Sequence, residues 1–492
     1  MSDVHDWLAG QSERVIETSC AWVFLGGETA LKVKKPVDYG FLDFTTPAKR
    51  RWALDRELAF NRATAPDIYR AVRRVTRDDA GALALDGPGG TIDYALEMRA
   101  FDPQAVLSEH PQSVDGALAE DLGRAIARFH AGAEIRPDGG GVKALGYTIR
   151  TNAEHLSTLA DLLGAEAVER VVRGVDGAFA TAALLLERRR AEGFARRCHG
   201  DLHLGNILLE AGAPVLFDCI EFNDLLSEID VLYDFAFLVM DLWFRGRAEA
   251  ASRAFNAYLD EAARRFPPTL WDGLAVLPLM LSARASVRAH VTAMQGDAEA
   301  GRAYLAAAER HLSPPPPTLT AIGGLSGTGK TTLARRVAPA IGGAPGAVIL
   351  RTDEIRKRLA GVAPLERLPP AAYTDRMRAQ AYDEMFALAR RVLAAGRSVV
   401  LDAVFQQPAE RDPAHSLAGE LGVPFRGVWL QGPADELRRR LARRAGDASD
   451  AGAAALDQQL ARDAGRIEWQ IRDATDLDAA AEELTTRPGL RT

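Results

Sequence analysis

The run CHGDLHLGNILL, Cys198 to Leu209, places Asp201 in a loop with Asn206 five positions on, and VLFDCIEF then sets Asp218 behind a short apolar run. An aspartate in such a loop can take a proton from an attacking hydroxyl. Asn206 and Asp218 add a neutral and an anionic oxygen, the hard ligands Mg²⁺ accepts while it also holds the phosphates of ATP. Upstream, Lys32 and Lys34 alternate in TALKVKK and so share one face of a strand. Either could hold the α- and β-phosphates, and Glu57 on the following helix could pair with that lysine.

More than a hundred residues later the chain carries a second, unrelated phosphate-binding pattern. GLSGTGKT matches G-x-x-x-x-G-K-[ST], with an apolar strand before it and TTLARRVAPAIG as a helix after it. Gly324, Gly327 and Gly329 let the backbone fold closely round phosphates, so that the N–H groups of Ser326, Thr328 and their neighbours point inward. The start of the helix at Lys330, Thr331 and Thr332 adds positive dipole potential. Lys330 reaches the β- and γ-oxygens, and Thr331 offers its hydroxyl to Mg²⁺. Next, AVILRTDEIRKRL ends a strand at Asp353, with Arg356 three residues on. This carboxylate and guanidinium stand at the strand edge where open α/β sheets bind ligands. Asp353 could deprotonate an acceptor hydroxyl and Arg356 could hold an anionic group on the acceptor. Asp402, after RSVVL, is a second metal-side acid for this site, and LRRRLARR packs five arginines into 438–444. On a helix Arg440 and Arg444 share a face, suited to a lid over the transferring phosphate.

Plainer readings exist for each feature. Cys198, His199 and His203 have zinc-ligand chemistry, but two His four apart face one metal only on a helix, and Gly200 and Gly205 disfavour one there. His199 is expected to brace the loop instead, with Asp230 and Asp234 helping to hold it. The arginine cluster alone would be a solvated helix face. No aromatics are interleaved with it, so base stacking has no support.

The elements that must carry these residues follow from pattern. CAWVFL and TALKVKK around a Gly26-Gly27 turn predict a hairpin, PAKRRWALDRELAFNRAT a helix and TIDYALEMRAF a strand, and from DGALAEDLGRAIARFHAG onward helices dominate. Pro314 to Pro317 form a stiff connector. The expected division is 1–312, a linker at 313–318, and 319–492. The chain has 492 residues, net charge −7, 47% hydrophobic and 26% charged residues, a globular composition that does not indicate general affinity for nucleic acid, which is a possible but not a favoured partner. Its longest strongly apolar run, FAFLVM at 235–240, is far below the roughly 18 residues of a membrane span. Three cysteines do not build a disulfide framework, and the polar N-terminus lacks a secretory signal. A cytoplasmic protein with no membrane partner is expected, and its oligomeric state stays open.

The first set of residues resembles the aminoglycoside phosphotransferase branch of the kinase superfamily in its HGDxHxxN form, over about 20–310. That resemblance implies a two-lobed kinase-like fold, Asp201 as catalytic base, Asn206 and Asp218 as metal ligands, Lys32 or Lys34 as the ATP lysine with Glu57 its partner, and Glu97 to Arg99, with Met98 between them, as the adenine-contacting hinge. Here no G-x-G-x-x-G precedes the lysine, and FDCIEF stands where D-x-G is usual. The second set, over about 319–475, resembles small P-loop kinases of the zeta-toxin, gluconate-kinase and polynucleotide-kinase type, implying a parallel α/β sheet with helices on both faces. The whole resembles bacterial fusions of the two, implying ATP, Mg²⁺ and small-molecule hydroxyl acceptors. A polynucleotide 5′-kinase in the second half, or a ligand-sensing first half, are the rival expectations.

Overall fold

The computed structural model describes residues 2–40, 42–443 and 448–486. Its chain forms two compact units, Met1–Asp115 with Gly132–Glu154 and Leu186–Asp241, and Gly116–Ala131 with His155–Leu185 and Leu242–Thr492. Compactness therefore does not follow the proline connector: helices that precede it in the sequence belong with the parallel sheet that follows it.

The first unit is built on a six-stranded sheet of β1 (Arg14–Glu17), β2 (Ala21–Gly26), β3 (Thr29–Lys34), β4 (Tyr69–Arg77), β5 (Leu83–Leu85) and β6 (Gly90–Arg99), in the order β1-β2-β3-β6-β4-β5. Gly26 pairs with Thr29, so the hairpin turns on Gly27 and Glu28 rather than on Gly26-Gly27, and Gly27 supplies the positive φ of 54°. Alternation in β3 then decides the faces. Val33 and Leu31 pack with Phe24 and Ala95, whereas Ala30 lies with Leu54, Leu96 and Met98. Lys32 and Lys34 share the second face, where the helix Pro47–Asn61 packs. That helix starts where the sequence predicts: Thr46 accepts from Lys49 N and Pro47 occupies its first turn, where a missing N–H costs nothing. Short strands β7 (Ala195–Arg197), β8 (Ile207–Glu210), β9 (Ala213–Leu216) and β10 (Glu228–Asp230) frame the loop 198–206, with β7 paired to β10 and β8 to β9.

The second unit holds a five-stranded parallel sheet of β11 (Leu319–Gly324), β12 (Val348–Arg351), β13 (Val399–Asp402), β14 (Phe425–Gln431) and β15 (Gln470–Asp473), in the order β12-β13-β11-β14-β15. β11 and β13 are buried along their whole length, as strands covered on both faces must be. Edge strand β12 is closed by a side chain from the helix Ala248–Ala262. Asn256 Oδ1 accepts from Ile349 N at 2.7 Å and its Nδ2 donates to Ala347 O at 3.3 Å. Asp260 on the same helix pairs with Arg358 at 3.2 Å, and Glu120 of the helix Gly116–Gly132 receives Arg335 at 2.8 Å. Asn256→Leu leaves Ile349 N without its acceptor, and the second unit is expected to lose about 1–3 kcal/mol. Thermal unfolding, with faster amide exchange at 347–351, checks this.

One stretch, Pro268–Met294, is apolar and long enough by composition to cross a membrane, contrary to the expectation that no run approaches that length. Its most apolar 18-residue window is 78% buried, and Leu274, Leu277, Met280 and Leu281 lie in the core, as in the core helix of a folded unit. Among the described residues no disulfide joins Cys20, Cys198 or Cys219.

Candidate active sites

The loop 198–206 is held from below by one buried carboxylate. Asp234 Oδ2 accepts from His199 N at 3.0 Å and Oδ1 from Gly200 N at 2.8 Å. Gly200 has φ 85°, and a Cβ there would lie 2.8 Å from Leu226 O, so only glycine fits. His199 is fully buried; burial lowers its pKa, keeping the ring neutral. Its Nε2–H donates to Phe217 O at 2.9 Å, and its Nδ1 faces Asp201 N at 3.4 Å. The ring thus braces Asp201 against the strand end that carries Asp218. Asp230 pairs with Arg189 at 2.7 Å rather than reaching the site.

Asn206 donates from Nδ2 to Asp201 O at 2.8 Å and to Asp201 Oδ2 at 2.9 Å. The amide is thereby oriented, and Oδ1 is the atom that could take a cation. His203 Nε2 stands 3.4 Å from Asp201 Oδ2. Asp218 has φ 62°, a conformation rare for a residue with a side chain. Its neighbourhood over-determines it: Asp218 N donates to Tyr69 Oη at 3.0 Å and Cys219 N to Asn61 Oδ1 at 2.9 Å. This is how FDCIEF places an acid where a following glycine is absent.

The two lysines, equivalent in the sequence, have different partners. Lys32 Nζ lies 2.6 Å from Glu57 Oε1 and 2.8 Å from Asp218 Oδ1. Lys34 Nζ lies 2.7 Å from Glu57 Oε2 and 2.6 Å from Glu221 Oε1, and is 2% exposed. Lys32 is therefore the lysine beside Asp218, and Lys34 is a buried clamp joining Glu57 to Glu221. Burial opposes the charge on Lys32, but Asp218 and Glu57 override it and raise its pKa well above the ordinary value. Burial likewise opposes charge on Asp218, and Lys32 holds its carboxyl below the usual range. Of the hinge residues, Glu97 pairs with Arg73 at 2.6 Å on the face away from Lys32, whereas Met98 packs on the Lys32 side. The Glu97 carboxylate is thus not the group that meets a nucleotide on that face.

At the second site the GLSGTGKT loop, the ends of β12 and β13 and the arginine helix Ala434–Arg443 line one cavity of about 1580 Å³. Gly327 has φ 86°, and a Cβ would lie 2.8 Å from Leu437 O, so the loop can approach that helix only as glycine. Thr331 Oγ1 donates to Asp402 Oδ2 at 2.6 Å. These two hard oxygens, brought together from the loop helix and β13, fit a Mg²⁺ site. Arg356 donates to Asp353 Oδ1 at 2.8 Å. Burial opposes the Asp353 charge, and Arg356 with Arg351 holds its carboxyl below the usual range, keeping it ionised. Arg440 lines the cavity, bonded to Glu436 at 3.0 Å and Ala474 O at 2.9 Å. Arg444 lies outside the described residues, and Arg443 lines the cavity beside Arg440.

Sequence reasoning missed three residues here. Arg351, buried, donates to Asp402 Oδ2 at 3.1 Å and Glu354 Oε1 at 2.8 Å. Tyr373 donates to Asp450 at 2.5 Å on the cavity wall, and Gln459 reaches the phosphate loop. Only Arg351 carried a local signal, as a charged residue closing an apolar strand.

Lys330→Ala is expected to lower labelled product from this site by about 10²–10³-fold, the loss usual when one preorganised donor to developing charge is removed. Initial rates with [γ-³²P]ATP check it.

Comparison with known families agrees with this division of labour. Residues 44–271 match the phosphotransferase enzyme family and 319–464 match an AAA domain family. The chain is thus a kinase-type fusion, a two-lobed phosphotransferase module joined to a P-loop module that binds nucleotide. More particularly, it belongs to the family of an uncharacterized protein of Mycobacterium tuberculosis (strain ATCC 25618 / H37Rv), to which it is 32% identical over 485 residues, covering 95% of this chain and 93% of the relative. A Mycobacterium bovis relative matches equally. Among solved structures, a choline/ethanolamine kinase family protein from Mesorhizobium loti is 17% identical with TM-score 0.40, covering 63% of this chain and 97% of that one. The APS kinase CysC of Mycobacterium tuberculosis is 20% identical with TM-score 0.26, covering 35% of this chain and 96% of that one.

Proposed function

We propose that the chain is a bifunctional ATP-dependent kinase in which each module transfers the γ-phosphate to a hydroxyl of a small molecule. The observation that carries this reading is the pairing of a carboxylate with phosphate-handling groups at both sites: Asp201 beside Asn206 with Lys32 on Asp218, and Asp353 beside Arg356 in the cavity of Lys330.

At the first site Lys32 orients the α- and β-phosphates, and Asp201 takes the proton of the attacking hydroxyl. Asn206 and Asp218 would hold Mg²⁺ there; Thr331 and Asp402 would do so at the second site. When bound, the metal neutralises charge on the phosphate oxygens. At the second site the loop N–H groups and Lys330 fix the triphosphate. Asp353 takes the acceptor proton, Arg356 holds an anionic group of the acceptor, and Arg440 covers the transferring group. A cytoplasmic location, where ATP is at hand, is part of this proposal.

A screen of pooled metabolites and oligonucleotides with [γ-³²P]ATP tests the reading. Wild type should yield two product sets, Asp201→Asn should remove one, and Lys330→Ala the other. Labelled oligonucleotide ends that depend on Lys330 would move the second site to polynucleotide phosphorylation. Unaltered products in Asp201→Asn would make the first module a sensor.

A further inference from the structure

The carboxamide of Gln459 is bonded to the phosphate loop through both of its heavy atoms. Oε1 accepts from Ser326 N at 2.8 Å, and Nε2 donates to Ser326 Oγ at 3.0 Å. Both residues line the cavity that Lys330 and Thr331 line. Gln459 is itself held in place: Gln406, 1% exposed and four residues past Asp402, donates from Nε2 to Gln459 O at 2.6 Å. Asp457, on the same helix Ala453–Leu460, receives Arg438 of the arginine helix at 2.8 Å.

The loop has a direction. Lys330 Nζ lies 3.1 Å from Leu325 O, so the lysine tip that serves the β- and γ-phosphates is at the Leu325–Ser326 end. The helix start at Gly329–Lys330 serves the other end. Ser326 N–H is then a donor at the γ end, and Gln459 is the side chain that meets it. A carboxamide carries an acceptor and a donor on one short fork. In the observed orientation its oxygen takes Ser326 N–H. A γ-phosphate that takes Ser326 N–H displaces Oε1 from it, and Nε2 is then the neighbouring donor that can turn to a γ-phosphate oxygen.

We propose that Gln459 is a positioning residue that reads the γ-phosphate, tying triphosphate occupancy to the seating of the helix Ala453–Leu460 against the arginine helix. The assignment rests on the loop being a triphosphate site and adds the residue that separates ATP from ADP there. A carboxylate at 459 would still accept from Ser326 N but could not donate, and would repel the γ-phosphate.

The test is a titration of the full-length chain with a non-hydrolysable ATP analogue and with ADP, taking as the second-site component the binding that Lys330→Ala removes. Gln459→Glu should weaken the analogue in that component about tenfold or more and ADP far less. Gln459→Ala should lower the preference for triphosphate, and Gln458→Ala, one position away, should leave it unchanged. An unshifted thermal midpoint in Gln459→Ala confirms that the fold is intact. Equal changes for both nucleotides, or none, overturn the role of Gln459 while leaving the nucleotide site standing. Absence of any Lys330-dependent component removes the triphosphate reading and this assignment with it.

Discussion

Asp201→Asn should lower phosphoryl transfer at the first site by about 10³-fold while second-site products stay at wild-type level, since a positioned general base contributes roughly 10²–10⁴-fold. The substitution isolates the chemistry from the architecture. Asparagine keeps an oxygen that can accept from Asn206 Nδ2, now 2.9 Å from Asp201 Oδ2, and the loop remains anchored through Asp234 and His199. The thermal midpoint is therefore expected to stay put while kcat falls and the KM for ATP moves little, because Lys32, Asp218 and Glu57 are untouched. Initial rates at saturating ATP on the acceptor found by the screen measure this. A variant that lost both product sets together would mean that the two pockets do not work independently.

How much of this arrangement the sequence disclosed depends on the range over which each residue acts. Asp201 with Asn206, and Gly324 to Thr331, do their work within a few residues of one another, so spacing alone exposed them. Asp402 closes a buried strand, which is a local signal too. The clamp on Glu57 is different: Lys34 meets Glu221 across 187 positions, and no periodicity links them. Gln459 meets Ser326 across 133 positions and is equally silent until the chain is folded. Strand alternation could have told that Glu97 faces away from Lys32, because Leu31 and Ala95 already mark that face. The grouping of helices with the nucleotide sheet was hidden for another reason. Asn256 reads as an ordinary polar helix residue, and only the exposed edge of β12 gives its amide two backbone partners.

Glu57→Ala should destabilise the first unit by about 3–5 kcal/mol and with it abolish first-site turnover, the largest stability effect expected in this chain. Glu57 is fully buried and its two oxygens meet two ammonium groups, at 2.6 Å and 2.7 Å. Deleting the carboxylate leaves Lys32 to Asp218 and Lys34 to Glu221, a part-buried and a buried cation side by side with one negative charge fewer between them. On thermal unfolding the first unit should drop by on the order of 10 °C. Acid provides the second readout. Burial works against the charge on Glu57, yet Lys32 and Lys34 hold its carboxyl below the usual 4.5. A carboxyl lowered on folding contributes stability that is complete above pH 4.5 and is lost as pH falls through its lower folded value. Wild type should therefore lose stability on acidification below pH 4.5, and Glu57→Ala, already without that contribution, should fall less steeply. Glu57→Gln keeps the volume and one acceptor oxygen but not the charge, so it should lie between the two in stability while remaining poor in turnover, because Lys32 would then be drawn wholly to Asp218. Equal acid slopes in wild type and Glu57→Ala would show that the pair of lysines is held by Asp218 and Glu221 alone, and that Glu57 only fills space between them.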